Sequence, residues 1–215
     1  TQSAEWAKLG EALLVSIEVD GKLQVMIGLD DPIRDDTLQT TEALRRLKVQ
    51  DLILVSGDRE EAAARIAHEI SADEYFASCS PERKLEILRE KQYTFANRVA
   101  AVGDGINDAP LLAGANVGIA MGARGATAAS EAADVVIIED SIYRVALAID
   151  VAKGAFNKAT QAALVGMGLA VIAMLATSTG LLTPTASAIT QEAIDTAAVL
   201  WALTPIRSYI GWRAK

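Results

Sequence analysis

Cysteine and histidine are nearly absent from this sequence, in which Cys79 and His68 are the single representatives. One cysteine excludes an internal disulfide and any metal site built from several cysteines. We expect Cys79 to be a small buried residue rather than a metal-delivery ligand, and His68 to lie on a helix surface. Any metal ion bound by this chain would therefore depend on oxygen ligands.

A surplus of positive charge is also missing. The chain carries 20 Lys and Arg against 28 Asp and Glu, which gives a formal net charge of −8. This balance argues against nucleic acid as a partner, because surfaces that bind nucleic acid are basic. The sequence begins with neither an initiator Met nor a signal-peptide pattern, so we expect it to be cut from something longer.

Charged residues are absent from residues 159–191, a run of 33. The run contains "QAALVGMGLAVIAMLATSTGLL" at 161–182, which is long enough to span a hydrocarbon layer of roughly 30 Å. A second apolar stretch follows at 186–206, after Pro184. The sequence predicts a C-terminal transmembrane helical hairpin, and the alternative is a pair of buried core helices in a soluble protein.

Small and basic residues favour the membrane interpretation. Ala162, Gly166 and Ala170 recur every four residues and form a ridge suited to close helix packing in lipid. Basic residues flank the two spans while the link "TPTA" is uncharged, which places both outer ends in the cytoplasm. These flanking residues are Lys153, Lys158, Arg207, Arg213 and Lys215.

Strand and helix patterns alternate over the first 150 residues. Residues 13–29 read as two strands joined at Asp20-Gly21, a hairpin signal. Five later strand patterns alternate with helices, which predicts an α/β fold with a mostly parallel, doubly wound, Rossmann-type sheet. In the helix predicted for residues 37–48, Leu38, Leu44 and Leu47 recur on one side, and a long helix is predicted for residues 141–158.

Polar side chains lie at or beside the carboxyl ends of the predicted strands in three places. Ligands bind at these ends in open α/β sheets. "VSGD" supplies Ser56, Gly57 and Asp58, "SPERK" supplies Lys84, and "VGDGINDAPLL" supplies Asp104 and Asp108. A hydroxyl, free amides and an ammonium suit a tetrahedral oxyanion, and carboxylates suit a hard cation such as Mg²⁺. The combination predicts phosphoryl-transfer chemistry.

These motifs resemble the haloacid dehalogenase superfamily and, more closely, the phosphorylation domain of P-type ATPases. "VSGD" is similar to that family's "TGD", and "GDGINDAPLL" matches its hinge signature almost letter for letter. "DPIR" at 31–34 and "EAADVVIIED" at 131–140 resemble its re-entry segment and last strand. The resemblance implies three parts: the end of the nucleotide-binding insertion with a return strand (1–30), the phosphorylation domain (31–150) and two transmembrane helices (151–215).

The resemblance also implies roles for the acidic loop. Asp104 would ligate the catalytic Mg²⁺, with Asp108 beside it as a further acidic group. Asn107 would help to orient the phosphorylated site.

It implies a matching set of roles for the phosphate and nucleotide. Ser56 and Gly57 would hold the phosphoryl oxygens, and Lys84 would neutralise their charge. Asp58 would lie near the incoming ATP.

The family's nucleophile motif "DKTGT" and its actuator motif "TGE" do not occur in these 215 residues. We therefore expect the C-terminal portion of a longer ATP-driven cation pump, or one part of a split one, that hydrolyses no ATP on its own. The two alternatives are a soluble phosphatase of the same superfamily and a non-catalytic membrane partner that regulates a pump. The phosphatase would need a "DxDxT" strand, which is also absent.

The second predicted span contains "QEAID", with Gln191, Glu192 and Asp195. Carboxylates within a span are costly and usually mark an ion path. Two helices after the phosphorylation domain resemble the arrangement in the heavy-metal (type IB) branch, in which a polar residue of the last helix contributes to the transport site. Asp195 is therefore the candidate ligand for the transported ion, and Glu192 is a second candidate. The alternative for Glu192 is a solvated position at the extracellular interface with no role in transport. Oxygen ligands favour a divalent ion such as Zn²⁺, Cd²⁺, Co²⁺ or Mn²⁺ over Cu⁺. The expected location is the cell membrane, with the phosphorylation domain in the cytoplasm.

Overall fold

The computed structural model describes residues 13–19, 22–29, 32–96, 98–103, 106–122 and 128–204. The described residues divide into two compact units. The first, here called the α/β unit, runs to Glu42 and then from Val49 to Ile142. The second, the helical unit, contains Ala43–Lys48 and the chain from Tyr143 onward.

The α/β unit begins with an antiparallel hairpin. Strand β1 (Leu13–Val19) pairs with β2 (Lys22–Leu29), and the register shifts between Ile17 and Glu18. The hairpin predicted for this stretch is therefore present, while its turn at Asp20-Gly21 lies outside the described residues.

Five short strands follow in two parallel groups. Strand β3 (Ile53–Val55) pairs with β4 (Glu74–Phe76). Strand β5 (Ala100–Gly103) pairs with β6 (Val117–Met121), which pairs with β7 (Val135–Ile137). Within the described residues, β3 bonds only to β4 and β5 only to β6, so each has one open edge. The predicted parallel α/β fold is confirmed, with its strands in two groups.

Helices separate these strands along the chain. A 3-10 turn at Ile106–Asp108 leads into the fourth helix. The helices that the structure describes in this part of the chain are α1 (Thr37–Arg46), α2 (Glu60–Glu69), α3 (Pro81–Thr94), α4 (Ala109–Gly114) and α5 (Ala128–Ala132). His68 is exposed on α2, and Cys79 is a buried free thiol, as the sequence predicts.

A small-residue core joins α4 and α5 to the sheet. Ala101, Leu112, Ala120 and Ala129 form one buried cluster. Gly118 lies under α4, where a Cβ atom would come within 2.4 Å of the Leu112 carbonyl oxygen. The close approach requires glycine at this position, because a backbone carbonyl cannot move aside as a side chain can.

The buried face of α1 differs from the prediction. Leu38 is 61% exposed, whereas Leu47 is buried. Three threonines take the buried positions, and two of their hydroxyls donate to the carbonyls of Asp36 and Thr37 four residues back. This bonding satisfies the hydroxyls, so a threonine face can be buried where a leucine was expected.

The helical unit is built on α6 (Tyr143–Ser178), one continuous helix of 36 residues. The long helix predicted at 141–158 is therefore present from Tyr143 onward, and it continues through the apolar run because no proline, glycine pair or cap interrupts the pattern. Helix α7 (Pro184–Ala202) follows, with the Thr183 side chain capping its first turn. Among the described residues, α6 alone is long and apolar enough to cross a membrane.

The two long helices contact each other through small side chains. A Cβ atom on Gly166 would lie 3.4 Å from the Ala198 Cβ, and Ala162 is buried. The Thr177 hydroxyl donates to Ser187 Oγ at 2.8 Å. Near the other end, the Lys158 ammonium lies 5.8 Å from the centre of the Trp201 ring. The ridge of small residues seen in the sequence thus faces α7.

Candidate active site

In the loop after β3, Ser56 and Asp58 are joined by two hydrogen bonds. The Ser56 hydroxyl donates to Asp58 Oδ2 at 2.8 Å, and the Asp58 backbone N–H donates back to Ser56 Oγ at 3.1 Å. Gly57 and Asp58 are exposed and Ser56 is half-buried. The loop is therefore ordered by its own side chains while its outer surface stays open to a ligand.

A second loop, after β4, is joined to the first by backbone hydrogen bonds. The Ser78 N–H donates to the Asp58 carbonyl at 2.7 Å, and the Cys79 N–H donates to the Ser56 carbonyl at 2.9 Å. Ser56 N–H in turn donates to the Phe76 carbonyl at 2.9 Å. The two loops form one assembly at the carboxyl ends of β3 and β4.

The second loop leads directly into α3, which carries Lys84 in its first turn. Ser80 caps this helix by accepting from the Arg83 N–H at 3.3 Å, and Pro81 occupies a favoured opening position. The pKa of Glu82 lies below its usual range, because its carboxylate accepts from its own backbone N–H and then from the Ser80 hydroxyl. These contacts hold the start of α3, and with it Lys84.

Lys84 and Asp108 are in direct contact. The Lys84 ammonium lies 2.8 Å from Asp108 Oδ1, and the two side chains are only 19% and 17% exposed. A Cβ atom on Gly103 would lie 2.8 Å from the Asp108 Cβ, so Asp108 also touches the end of β5. Asp104 follows Gly103 in the sequence but lies outside the described residues.

The described geometry therefore connects most of the predicted site. The loop of Ser56, Gly57 and Asp58 is bonded to the loop that positions Lys84, and Lys84 is bonded to Asp108 at the end of β5. Asn107 is exposed in the adjoining 3-10 turn. A hydroxyl, an ammonium and a carboxylate thus belong to one connected set of contacts.

The oxygen donors at this rim suit a hard divalent cation. Asp108 keeps a second carboxylate oxygen, which lies 3.0 Å from the position of a Cβ on Gly103, next to the end of β5. Among the described residues, no group of three or more acidic, histidine or cysteine side chains could hold a metal ion. Asp108 is therefore a described carboxylate at this rim that could contribute to a cation site.

The carboxylates of α7 form a separate polar group in the helical unit. The Gln191 amide donates to Asp195 Oδ1 at 3.2 Å, and both Glu192 and Asp195 are exposed. The face of α7 that is shielded contains Ser187, Thr190, Gln191 and Ala198. Asp195 therefore lies beside this shielded face, one turn after Gln191, and Glu192 lies further round the helix.

Two features of the site had no signal in the sequence. The Lys84–Asp108 contact joins residues that were assigned separately to phosphate and to metal. Ser78 adopts φ 51°, a left-handed conformation that nothing in "ASCSPERK" indicates, since glycine is the usual residue there.

Comparison with known proteins identifies the fold family. The family model described as haloacid dehalogenase-like hydrolase matches residues 3–116, about half of the chain. A zinc-transporting ATPase of Synechocystis sp. is 37% identical over 171 residues, which cover 79% of this chain and 24% of the relative. A manganese-exporting P-type ATPase of Mycobacterium tuberculosis is 38% identical over 185 residues, which cover 85% and 25%.

A solved structure agrees with these relatives. The crystal structure of a zinc-transporting PIB-type ATPase in the E2.Pi state superposes with a TM-score of 0.79 at 27% identity, covering 94% of this chain and 33% of that one. The chain spans about a quarter of the length of the curated relatives it matches. On this evidence it belongs to the haloacid dehalogenase-like hydrolase family, within which it resembles the heavy-metal P-type ATPases, as its motifs predicted.

Proposed function

We propose that this chain is part of an ATP-driven pump for a divalent metal cation, and that its α/β unit is the phosphorylation domain. The observation that carries the proposal is the continuous set of contacts from the Ser56 loop through the Ser78 loop to Lys84 and Asp108. Phosphoryl transfer depends mainly on positioning and charge neutralisation, and this rim supplies both.

Each residue has a definite task in this proposal. The Ser56 hydroxyl and Gly57 amide hold the phosphoryl oxygens, and Lys84 neutralises their charge. Asp104 and Asp108 hold Mg²⁺, which would offset the negative charge of the phosphates, and Asn107 orients the phosphorylated group. Asp58 lies where the nucleotide enters.

The reaction itself is a transfer to an aspartate. The bond between the γ-phosphorus of ATP and its bridging oxygen breaks, ADP leaves with that oxygen, and a carboxylate oxygen bonds to phosphorus. Water later cleaves the aspartyl phosphate to carboxylate and inorganic phosphate. The described rim positions and neutralises the phosphoryl group in both steps.

The nucleophile would come from a segment outside these 215 residues. The open edges of β3 and β5 support this part of the proposal, because both strands end at the same polar rim. One further parallel strand between them would bring a carboxylate to the rim. The isolated chain is therefore expected to form no phosphoenzyme.

Transport would use the carboxylates of α7. Lys158 and Trp201 lie close together, and both residue types favour membrane interfaces. This part of the proposal places α7 in the membrane beside α6, although α7 is the less apolar of the two. Measured from Trp201 at about 1.5 Å per residue, Asp195 would then lie roughly 9 Å and Glu192 roughly 13 Å into the layer. Exposed carboxylates at that depth must face other protein helices or a bound cation.

Complementation tests the phosphorylation step. This chain alone should incorporate no label from γ-labelled ATP, whereas co-expression with the upstream part of a related pump should give an acid-stable phosphoenzyme. Asp104→Asn in the combined protein should reduce that phosphoenzyme at least a hundredfold at millimolar Mg²⁺. Labelling of the isolated chain would contradict the proposal, and a folded, membrane-bound combination without label would favour the regulatory-partner alternative.

Asp195→Ala tests the transport site. The variant should lose cation uptake into vesicles but still accept phosphate from inorganic phosphate, because the ion site and the phosphorylation rim are separate groups of residues. Thr196→Ala, also exposed on α7, is the matched control and should transport normally. Unchanged uptake in Asp195→Ala would remove this residue from the ion path.

A further inference from the structure

Ser78 has a backbone conformation that its residue type disfavours. Its φ is 51°, in the left-handed region where a side chain crowds the following carbonyl. Ser78 follows β4, and both Ser78 and the next residue, Cys79, bond to the Ser56 loop. Such an outlier persists only where the surrounding structure holds it.

The conformation has a direct effect on two hydrogen bonds. In an extended chain, successive N–H groups point to opposite sides, whereas a left-handed residue turns them to the same side. The N–H groups of Ser78 and Cys79 both donate to the Ser56 loop, at 2.7 Å and 2.9 Å. A standard extended conformation at Ser78 would break one of these bonds.

We propose that Ser78 is a positioning residue, whose left-handed backbone sets the distance between the phosphate-holding Ser56 loop and Lys84. The chain from Ser78 to Lys84 is short and held throughout, since Ser80 caps α3 and the Lys84 N–H donates to the Ser80 carbonyl at 3.0 Å. The Ser78 hydroxyl contributes little, because its contact to the Asp58 carbonyl is 3.4 Å long. The inference rests on the proposed function of the rim.

A series of substitutions at Ser78 distinguishes the effect of its backbone conformation from the effect of its hydroxyl group. Ser78→Gly and Ser78→Asn favour the left-handed conformation, whereas Ser78→Thr keeps the hydroxyl but disfavours that conformation. In the complete pump, the rate of phosphoenzyme formation from labelled ATP should stay within about twofold for Gly and Asn and fall about tenfold for Thr. A rate that falls for Gly and survives for Thr would mean that the hydroxyl acts directly, and would overturn the proposal.

Ala96 provides a matched control. It has the same φ of 51°, but it lies beyond the C-terminal end of α3, at the opposite end from Lys84. Ala96→Thr introduces the same backbone conflict and should lower thermal stability as Ser78→Thr does, with phosphoenzyme formation within twofold of the wild type. An equal loss of rate in Ala96→Thr would show that general destabilisation explains the Ser78 result.

Hydrogen exchange tests the same inference without activity. In this chain alone, Ser78→Thr should speed amide exchange at residues 78 and 79 at least tenfold, while Ser78→Gly leaves it unchanged. Unchanged exchange in Ser78→Thr would refute the positioning role. A wild-type pump that forms no phosphoenzyme would instead refute the proposed function, and the exchange result would still decide the role of Ser78.

Discussion

The contact between Lys84 and Asp108 joins the residue that we propose neutralises phosphate to one that we propose holds Mg²⁺. Their side chains are largely shielded, so removing one partner leaves a poorly solvated charge. Asp108 has room for this contact only because residue 103 is glycine. The glycine before Asp104 therefore serves the packing of Asp108.

Gly103→Ala should disturb this pair. The added Cβ would lie 2.8 Å from the Asp108 Cβ, closer than carbon atoms tolerate, so Asp108 must move away. We expect a loss of about 1–3 kcal/mol in the free energy of unfolding, measured by urea denaturation, and a weaker phosphoenzyme signal in the complete pump.

Gly114→Ala is the control for that substitution. Its Cβ would meet only the ends of the Leu85 and Leu88 side chains at 3.4 Å, which is an ordinary contact. This variant should unfold like the wild type. If both alanine variants behaved alike, the close approach of Asp108 to Gly103 would not be the cause.

Helix α3 carries Lys84, and its first turn is held by the Ser80 cap and by Glu82. The low pKa of Glu82 means that folding favours its ionised form. The ionised Glu82 carboxylate therefore adds to the free energy of unfolding above its unfolded pKa of about 4.3. This contribution is lost as pH falls through the lower pKa that Glu82 has in the folded protein. Because Glu82 is exposed, we expect a small effect.

Glu82→Gln should consequently destabilise the α/β unit at pH 7, and the difference should vanish as pH falls through the lowered folded pKa of Glu82, because the protonated wild type and the variant carry the same charge. Thermal unfolding at several pH values measures this convergence. Glu69→Gln, at the C-terminal end of α2, should show no such loss at pH 7, because a carboxylate there opposes the helix dipole. A pH-independent difference for Glu82→Gln would point to lost packing instead.

The helical unit depends on close approach of α6 and α7 along their lengths. Gly166 faces Ala198, whereas nothing lies within 4 Å of a Cβ on Gly168, two residues further along the same helix. Gly166→Leu should therefore separate the helices and cost about 1–3 kcal/mol, while Gly168→Leu should leave them in contact.

Cross-linking measures this difference in detergent. Cysteines placed at Thr177 and Ser187, whose hydroxyls lie 2.8 Å apart, should cross-link in the Gly168→Leu background and far less in the Gly166→Leu background. Equal cross-linking in both backgrounds would contradict the packing described here.

Most of the fold was visible in local patterns. Strand alternation, the Asp20-Gly21 turn signal and Pro81 at a helix start are properties of neighbouring residues, and they predicted the order of elements. The buried face of α1 was not foreseen, because three threonines occupy it in place of Leu38, and two of their hydroxyls bond to backbone carbonyls four residues back. The continuity of α6 was also missed, since a change from charged to apolar composition does not end a helix.

The motifs alone were enough to identify the family and to predict phosphoryl-transfer chemistry, because "VSGD" and "GDGINDAPLL" each place several polar side chains within a few residues. The contacts between those motifs required the folded chain. Lys84 reaches Asp108 across 24 positions, and Ser78 turns two N–H groups toward Ser56 and Asp58 through a conformation that serine rarely adopts. The sequence by itself determines which side chains are present and in what order. The distances between side chains of separate loops, and the strained backbone of Ser78, arise only when those loops pack against one another.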